Sequence, residues 1–286
     1  MGDIFSIYRI PLDIWVENGV SWLVDNGRFF FQGIKWPLAQ LLNGLSDLLH
    51  LIPPLLFLVL LFLFAWWASN WKVAVFSVAV FALIGFLGKG LWDYAMTTLA
   101  AVLVSVIVGA VLGIPLGIIS ARSDRFYAMI RPFLDMMQTT PAFVYLVPVV
   151  MLFSIGTVAG LIAVVIYSLP PVIRLTNLGI RQVPDDVVEA ATAFGATPNQ
   201  TLIKIQIPLA LDTIMQGINQ NIMLALAMVV MAALIGAGGL GVPVYEGLNA
   251  LRIGLAAIGG ISIVGIAMVL DRVTEGIGEK APGKRE

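Results

Sequence analysis

Residues 189–208 read EAATAFGATPNQTLIKIQIP, a polar stretch that precedes a long apolar segment. The residues just before and within it, 184–193, predict a short helix. Pro184 is tolerated in a first helical turn, and Asp185 and Asp186 place negative charge near the positive end of the helix. A chain this apolar therefore carries a structured polar element at this point.

A break follows this helix at Phe194 and Gly195, because glycine turns the chain without steric cost. A second helix is expected to start at Thr197 or Pro198 and to continue into the next apolar segment. Two short helices that meet at a glycine, with Glu189 exposed at the elbow, form a compact projection that suits docking to another protein. A solvated connector is the weaker interpretation, since connectors rarely need both an apolar face and a defined break.

The composition identifies a membrane protein. Of the 286 residues, 59% are hydrophobic and 12% are charged, whereas a soluble domain carries roughly twice that share of charge. Apolar runs of roughly 17 to 25 residues can span a bilayer, and seven such runs are predicted at 52–68, 71–90, 93–119, 132–154, 157–173, 209–235 and 250–270. The predicted fold is all-α and polytopic. With no cysteine in the sequence, disulfides and cysteine metal sites are excluded.

The distribution of basic residues predicts the orientation, because cytoplasmic loops carry an excess of Lys and Arg. Seven spans with the N-terminus outside place eleven of the sixteen basic residues on the cytoplasmic side. They are Lys72, Arg122, Arg125, Arg131, Arg174, Arg181, Lys204, Arg272, Lys280, Lys284 and Arg285. The polar stretch and the C-terminus are therefore expected in the cytoplasm.

The centres of the predicted spans contain no Asp, Glu, Lys or Arg. A proton-driven carrier usually keeps an ionisable group inside the bilayer, so this chain is not expected to couple transport to protons by itself. Sodium coupling through backbone carbonyls stays open, which leaves an ion-coupled small-solute carrier as the alternative. A membrane scaffold protein without transport activity is a further alternative.

Two other patterns have structural interpretations. The sequence GAGGLG at 236–241 matches a dinucleotide glycine pattern, but it follows an apolar helix rather than a strand, so a tight turn is predicted. His50 is the single histidine and has no acidic cluster beside it, which favours an interfacial or packing role. No catalytic residue, metal site or cofactor is predicted.

The segment 12–34 predicts an amphipathic helix that lies in the membrane interface. One broad face is apolar and comprises Leu12, Trp15, Val16, Val20, Trp22, Leu23, Val24, Phe30, Phe31 and Ile34. The opposite face carries Glu17, Asn18, Ser21, Asp25, Arg28 and Gln32, which a membrane-spanning helix would bury in hydrocarbon. We expect this helix on the extracytoplasmic side, bracing the protein beside the spans near 52–90, with a loosely attached tail as the alternative.

The polar stretch also carries a resemblance. Its spacing is E-A-A, three residues, G, nine residues, I-x-I-P, given by Glu189, Ala190, Ala191, Gly195, Ile205, Ile207 and Pro208. This pattern resembles the EAA loop of membrane subunits of ATP-binding-cassette importers. The resemblance implies a type I importer permease core, and it implies that Glu189, Ala190, Ala191, Gly195, Ile205 and Pro208 couple the subunit to an ATPase cleft.

Three further segments, 134–156, 167–184 and 219–241, are similar to bacterial glycine betaine and proline importer permeases, and the similarity runs over about residues 90–275. It implies a permease without enzymatic activity for glycine betaine or related quaternary amine osmolytes. The implied partners are a cytoplasmic ATPase dimer, a second copy of the chain, an extracytoplasmic substrate-binding protein and the lipid bilayer, with no nucleic acid. The expected organisation is an interfacial region 1–50, accessory helices 51–91, a core 92–270 with its coupling loop 181–208, and a tail 271–286.

Five polar residues are candidates for the translocation path. Thr139 and Thr140 lie where Pro141 breaks the helical pattern, and irregular backbone in a membrane protein is tolerated where it lines a cavity or is buried in protein. Asn219, Gln220 and Asn221 lie about two turns into the span that begins near 209. These amides either line the path or tie neighbouring helices together.

Overall fold

The computed structural model of the protein describes residues 11–280, and within that range the backbone forms helices and turns without a strand. The helices are α1 (Leu12–Leu51), α2 (Pro54–Ala68), α3 (Trp71–Leu87), α4 (Leu91–Arg122), α5 (Asp124–Thr139), α6 (Leu146–Phe153), α7 (Thr157–Arg181), α8 (Asp185–Ala193), α9 (Pro198–Thr201), α10 (Ile207–Ala232), α11 (Gly241–Asn249) and α12 (Ile253–Glu279). Two 3₁₀ turns, Ala142–Tyr145 and Ala233–Ile235, and a π-helical turn, Leu202–Gln206, join some of them. The all-α prediction is confirmed.

Helix α7 lies at the centre of the core, with α4 and α10 packed along it and α12 packed on α10. Glycines at every fourth position of α4 permit the close approach. A Cβ added at Gly113 would lie 2.8 Å from Val172 Cβ, and one added at Gly117 would lie 2.5 Å from Thr176 Cβ. Small residues at such interfaces let helix backbones approach closely in a membrane, so this stripe fixes the α4–α7 contact.

Within residues 11–280, four unbroken helices are long and apolar enough to cross a membrane: α4, α7, the continuous run Pro198–Ile235 and α12. They correspond to four of the seven predicted spans. Helices α2 and α3 contain 15 and 17 residues, hence about 23 and 26 Å at 1.5 Å per residue, which is less than the roughly 30 Å hydrocarbon thickness. Up to six spans result when each of two bent helix pairs is included, so the structure gives four to six candidates where the sequence predicts seven.

The predicted span 132–154 is not one straight helix. It comprises the second half of α5, a 3₁₀ turn and α6, and the two parts are bent by 110°. Thr140 leaves the helical region at ψ 128° because the ring of Pro141 disfavours an α conformation in the residue before it. The eight residues of α6 rise only about 12 Å, so this segment alone does not cross a bilayer.

The N-terminal helix is longer and differently placed than predicted. Helix α1 has 40 residues, continues past Pro37 to Leu51, and makes an angle of 109° with α2. Its contacts are mainly with the core helices α4, α6 and α7, rather than with α2 and α3 as expected. Leu42 and Leu49 are buried there because the second half of α1 continues the apolar face beyond residue 34.

The region near the C-terminus contains more helix than the predicted spans. The sequence between the last two spans contains the short helix α11, and α12 continues nine residues into the predicted tail. The predicted glycine turn is confirmed, since Gly236, Gly238 and Gly239 all have positive φ. The Leu240 amide donates a hydrogen bond of 2.8 Å to Thr98 Oγ1, which fastens this turn to α4.

Candidate coupling and translocation site

The predicted helix–glycine–helix projection is present. Helix α8 ends in a Schellman motif: the Gly195 amide donates to the Thr192 carbonyl at 2.9 Å, and the Ala196 amide donates to the Ala191 carbonyl at 3.0 Å. Gly195 has φ +82°, a region that residues with a Cβ rarely adopt. The glycine of the motif is therefore required by the backbone of the turn.

The side chains of α8 divide into an inner and an outer face. Ala191 is buried at 8% exposure, whereas Glu189 and Ala190 are exposed. Phe194, beside the turn, is 94% exposed, an unusual placement for an aromatic ring in a polar loop. The sequence predicts only that Phe194 belongs to the break; an aromatic residue next to the glycine of a polar turn was the feature that could have marked it as exposed.

The second half of the projection is a capped helix that leads without interruption into α10. Thr197 and Gln200 form a capping box, in which the Thr197 amide donates to Gln200 Oε1 at 2.8 Å and the Gln200 amide donates to Thr197 Oγ1 at 3.4 Å. The π-helical turn over 202–206 follows. Pro208 has no N–H to donate to the Lys204 carbonyl, so the ordinary α-helical hydrogen bond is absent beside this turn.

The projection is fastened to the helix core at its base. Arg122, the last residue of α4, donates from Nη1 to Asn199 Oδ1 at 3.0 Å. The side chain of Thr201 is buried and donates to the Thr197 carbonyl. The projection is therefore joined to α4 by a hydrogen bond and is continuous with α10.

The two path candidates at the α5 break already have hydrogen-bond partners. Thr139 Oγ1 donates to the Asp135 carbonyl at 3.0 Å, and Thr140 Oγ1 donates to the Met136 carbonyl at 2.7 Å. Tyr145, across the bend, donates from its hydroxyl to the Met137 carbonyl at 2.6 Å. These bonds satisfy carbonyls at the end of α5, where helical partners are missing.

The three consecutive amides of α10 have different surroundings. Asn221 is buried, and its Nδ2 donates to the Ser168 carbonyl at 2.8 Å and lies 3.0 Å from Ser168 Oγ. Ser168 Oγ is in turn 3.1 Å from Ser105 Oγ, so this network joins α4, α7 and α10. Gln220 is exposed, and Asn219 is partly buried on the rim of a polar cavity of about 300 Å³ between α10 and α12. Of the two interpretations of the amides, helix tying has geometric support at Asn221.

The structure therefore brings the six coupling candidates together in one projection, over residues 185–208, but distributes the five path candidates over two regions. A cluster of three or more His, Cys, Asp or Glu residues able to hold a metal is absent from the part of the chain that the structure describes. The projection is continuous with the candidate span that contains α10.

Comparison with known proteins agrees with this architecture. Residues 113–279 match the family described as the binding-protein-dependent transport system inner membrane component. The chain belongs to this family, and it is a multi-pass inner-membrane permease subunit of an ATP-binding-cassette transporter and not itself an enzyme. Membership implies an ATP-binding subunit and a substrate-binding protein as partners.

Individual relatives are similar over nearly the whole chain. The glycine betaine/proline betaine transport system permease protein ProW of Escherichia coli (strain K12) is 49% identical over 96% of this chain and 77% of its own length. The glycine betaine transport system permease protein OpuAB of Bacillus subtilis (strain 168) is 46% identical over 94% of this chain and 95% of its own. The glycine betaine/carnitine transport permease protein GbuB of Listeria monocytogenes is 43% identical over 96% and 98%.

A solved structure of the MetNI methionine transporter in an inward-facing conformation has the same fold. It aligns with a TM-score of 0.52 at 24% identity and covers 64% of this chain and 90% of that one. This likeness concerns the arrangement of the helices.

Proposed function

We propose that this chain forms the translocation path of an ATP-driven importer for glycine betaine or related quaternary amine osmolytes. Two copies of the chain assemble with two ATP-binding subunits and an extracytoplasmic receptor. The observation that carries the coupling half of this proposal is the projection at 185–208, a glycine-closed helix pair continuous with a candidate membrane span. Such continuity lets closure of the ATPase pair move the membrane helices.

In this proposal the coupling surface is built by Glu189, Ala190, Ala191, Gly195, Ile205 and Pro208. Ala191 supports it from the buried side, and the exposed Phe194 is added to it. The candidates for the path stay Thr139, Thr140, Asn219, Gln220 and Asn221. Of these, Asn221 contributes by joining α10 to α7 through its hydrogen bonds to Ser168. The N-terminus lies outside and the C-terminus in the cytoplasm. The hydrogen bond between Arg122 and Asn199 supports this orientation, because it joins the C-terminal end of α4 to the projection and both are predicted to be cytoplasmic.

The cargo assignment is supported by the names of the relatives and by the chemistry of the core. Glycine betaine is a zwitterion without net charge, and a path lined by amides, hydroxyls and small residues suits it better than one lined by fixed charge. Transport follows from alternating access, in which receptor binding and ATP closure favour different arrangements of the same helices.

Reconstitution tests the whole proposal. The chain is placed in liposomes with its ATP-binding subunit and its substrate-binding protein, and uptake of glycine betaine, carnitine, choline and proline is measured. We expect ATP-dependent uptake of at least one quaternary amine. Uptake driven by an ion gradient without ATP would instead identify an ion-coupled carrier, and ATP-dependent uptake of sugars or metal ions alone would contradict the cargo.

The coupling surface is tested by Glu189→Lys, which reverses a charge on the exposed face of α8. We expect uptake and ATPase binding to fall while membrane insertion is unchanged, because the substitution lies at the docking surface and outside the core. Glu189→Gln, which removes the charge and keeps the size, serves as the graded control and should have the smaller effect. Normal uptake by the Lys variant would remove Glu189 from the coupling surface.

A further inference from the structure

Helix α5 is joined to the core helix α7 by two ion pairs, one near each of its ends. Asp124 Oδ1 lies 2.7 Å from Arg181 Nη2 at the start of α5. Asp135, in its last turn, pairs with Arg174 of α7. Because the earlier residue of α5 pairs with the later residue of α7, the two helices run antiparallel.

Arg181 joins three elements at the cytoplasmic end predicted from the sequence. Besides its contact with Asp124, its Nη2 donates to the Ser120 carbonyl in the last turn of α4 at 3.0 Å. Its guanidinium carbon also lies 5.6 Å from the centre of the Tyr127 ring, within cation–π range. Helix α8 begins at Asp185, four residues later, so this cluster lies at the root of the projection.

Apolar burial contributes little to the position of α5 in the protomer. Leu134 is its one buried side chain, whereas Met129, Phe133 and Met136 are each more than half exposed. Ion pairs at partly exposed sites add little to stability, but their geometry defines where α5 lies against α7. The two pairs therefore have a positional rather than a stabilising role.

The opposite end of the bent segment is held by a different element. Lys35 of α1 donates from Nζ to the Phe153 carbonyl, the last of α6, at 2.8 Å. The rings of Phe31 and Phe153 meet edge to face with centroids 5.5 Å apart. Helix α6 is thus fixed to α1 while α5 is fixed to α7, and the non-helical residues at Thr140 and Pro141 lie between them.

We propose that Arg174 and Arg181 are positioning residues that make α5 move with α7, so that displacement of the projection opens or closes the bend at Thr140–Pro141. This inference rests on the proposed function, since the ATPase supplies the displacement. It assigns a coupling role to residues outside the EAA loop. The Asp135–Arg174 pair is the more informative of the two, because it lies away from the projection and beside the bend.

Neutralising each residue of the Asp135–Arg174 pair, and then exchanging the two charges, tests the inference in the reconstituted assembly. Arg174→Gln and Asp135→Asn should each lower the number of osmolyte molecules imported per ATP about fivefold, the low end of an allosteric coupling, while ATP hydrolysis stays near its original rate. The double variant Asp135→Arg with Arg174→Asp should recover most of the ratio. Arg131→Gln is the matched control, because Arg131 lies on the same helix and its Nε is 3.9 Å from Asp135 Oδ2 at an exposed site.

A purely structural role gives a different result. In that case yield, ATP hydrolysis and uptake would fall together at a constant ratio, and the proposal would be wrong. An unchanged ratio in both single variants would overturn it as well.

A distance measurement tests the same inference without relying on the cargo. The sequence contains no cysteine, so spin labels attach only at introduced cysteines. The two labelled variants are Gln138→Cys on α5 and Leu178→Cys on α7, both at exposed sites. With the ion pairs intact, the label distance should be the same with and without trapped ATP, and Asp135→Asn should broaden it. A distance that changes with nucleotide in the otherwise unaltered chain would contradict the inference, whereas absence of osmolyte uptake by the wild-type assembly would contradict only the proposed function.

Discussion

Gly195 is the residue of the projection at which the backbone conformation most limits the choice of side chain. Its φ of +82° closes the Schellman motif, and a Cβ placed there would meet nothing within 4 Å. The restriction is therefore conformational rather than steric crowding by neighbours. A left-handed conformation costs a non-glycine residue roughly 1 to 2 kcal/mol.

We predict that Gly195→Val weakens ATPase binding and lowers ATP-dependent uptake, because the strained turn redirects α9 relative to α8. Gly195→Asn is the matched control, since Asn tolerates the left-handed region better than a β-branched residue. Pull-down of the ATP-binding subunit and uptake in proteoliposomes measure the effect. Equal activity of the Val and wild-type proteins would contradict the role of the turn.

Asn221 and Gln220 are adjacent in sequence and differ in environment. Asn221→Ala removes the hydrogen bonds to Ser168 that join α10 to α7. We predict a loss of about 1 kcal/mol, the scale of an interhelical hydrogen bond in a membrane protein, measured as a lower midpoint of thermal unfolding in detergent. Gln220→Ala, at an exposed position, should leave the midpoint unchanged, and equal shifts for the two variants would show that Asn221 is not a tie.

Among the elements, α4 packs against α7 with little room for added atoms. The neighbours of Gly117 include the Ile173 carbonyl, which would lie 2.8 Å from an added Cβ, as well as Thr176 Cβ at 2.5 Å. A backbone atom cannot rotate away as the end of a flexible side chain can. The contact between α4 and α7 must therefore widen if this glycine is replaced.

We predict that Gly117→Ala destabilises the protein by about 1 to 3 kcal/mol, the usual cost of overpacking. Gly260→Ala in α12 is the control, because a Cβ there meets nothing within 4 Å and alanine favours helix over glycine. In detergent, the midpoint of thermal unfolding should be lower for Gly117→Ala than for the wild-type protein. The midpoint of Gly260→Ala should not decrease. Equal midpoints would mean that α4 and α7 pack less closely than described.

At the scale of the whole molecule, α1 is about 60 Å long, as its 40 residues require. Its inner face contacts the core through Phe31, Leu38 and Leu42, while Trp15 and Trp22 are exposed. Tryptophan is enriched at the level of the lipid headgroups. The helix thus combines an interfacial surface with a contact to the permease core.

We predict that single cysteines at Asn18 and Ser21, both exposed positions on α1, react with a membrane-impermeant thiol reagent added outside intact cells. The physical reason is that their polar face cannot be buried in hydrocarbon. A cysteine at Thr192, exposed on α8, should react only after the membrane is opened. The reverse pattern would invert the proposed orientation of the chain.

The sequence predicted the projection well because its determinants are local. Proline at the N-cap position of α8, the glycine after it and the Thr197–Gln200 capping box each act within one or two turns. The break beside Thr140 was predicted for the same reason, since a proline restricts the residue before it. The angle of that break was not predicted, so a bent helix pair stands where the sequence predicts one straight span at 132–154.

By itself, the sequence determined the helical membrane class, the position of the coupling loop and the turns that close it, because all of these follow from composition or from contacts between near neighbours in the chain. The tertiary structure alone decided that Asn221 faces the core while Gln220 does not, that α1 packs on α4, α6 and α7, and that ion pairs position α5. In a membrane, apolar side chains face lipid as readily as protein, so hydrophobic periodicity does not reveal which face of a helix is buried. That choice depends on which helices pack together.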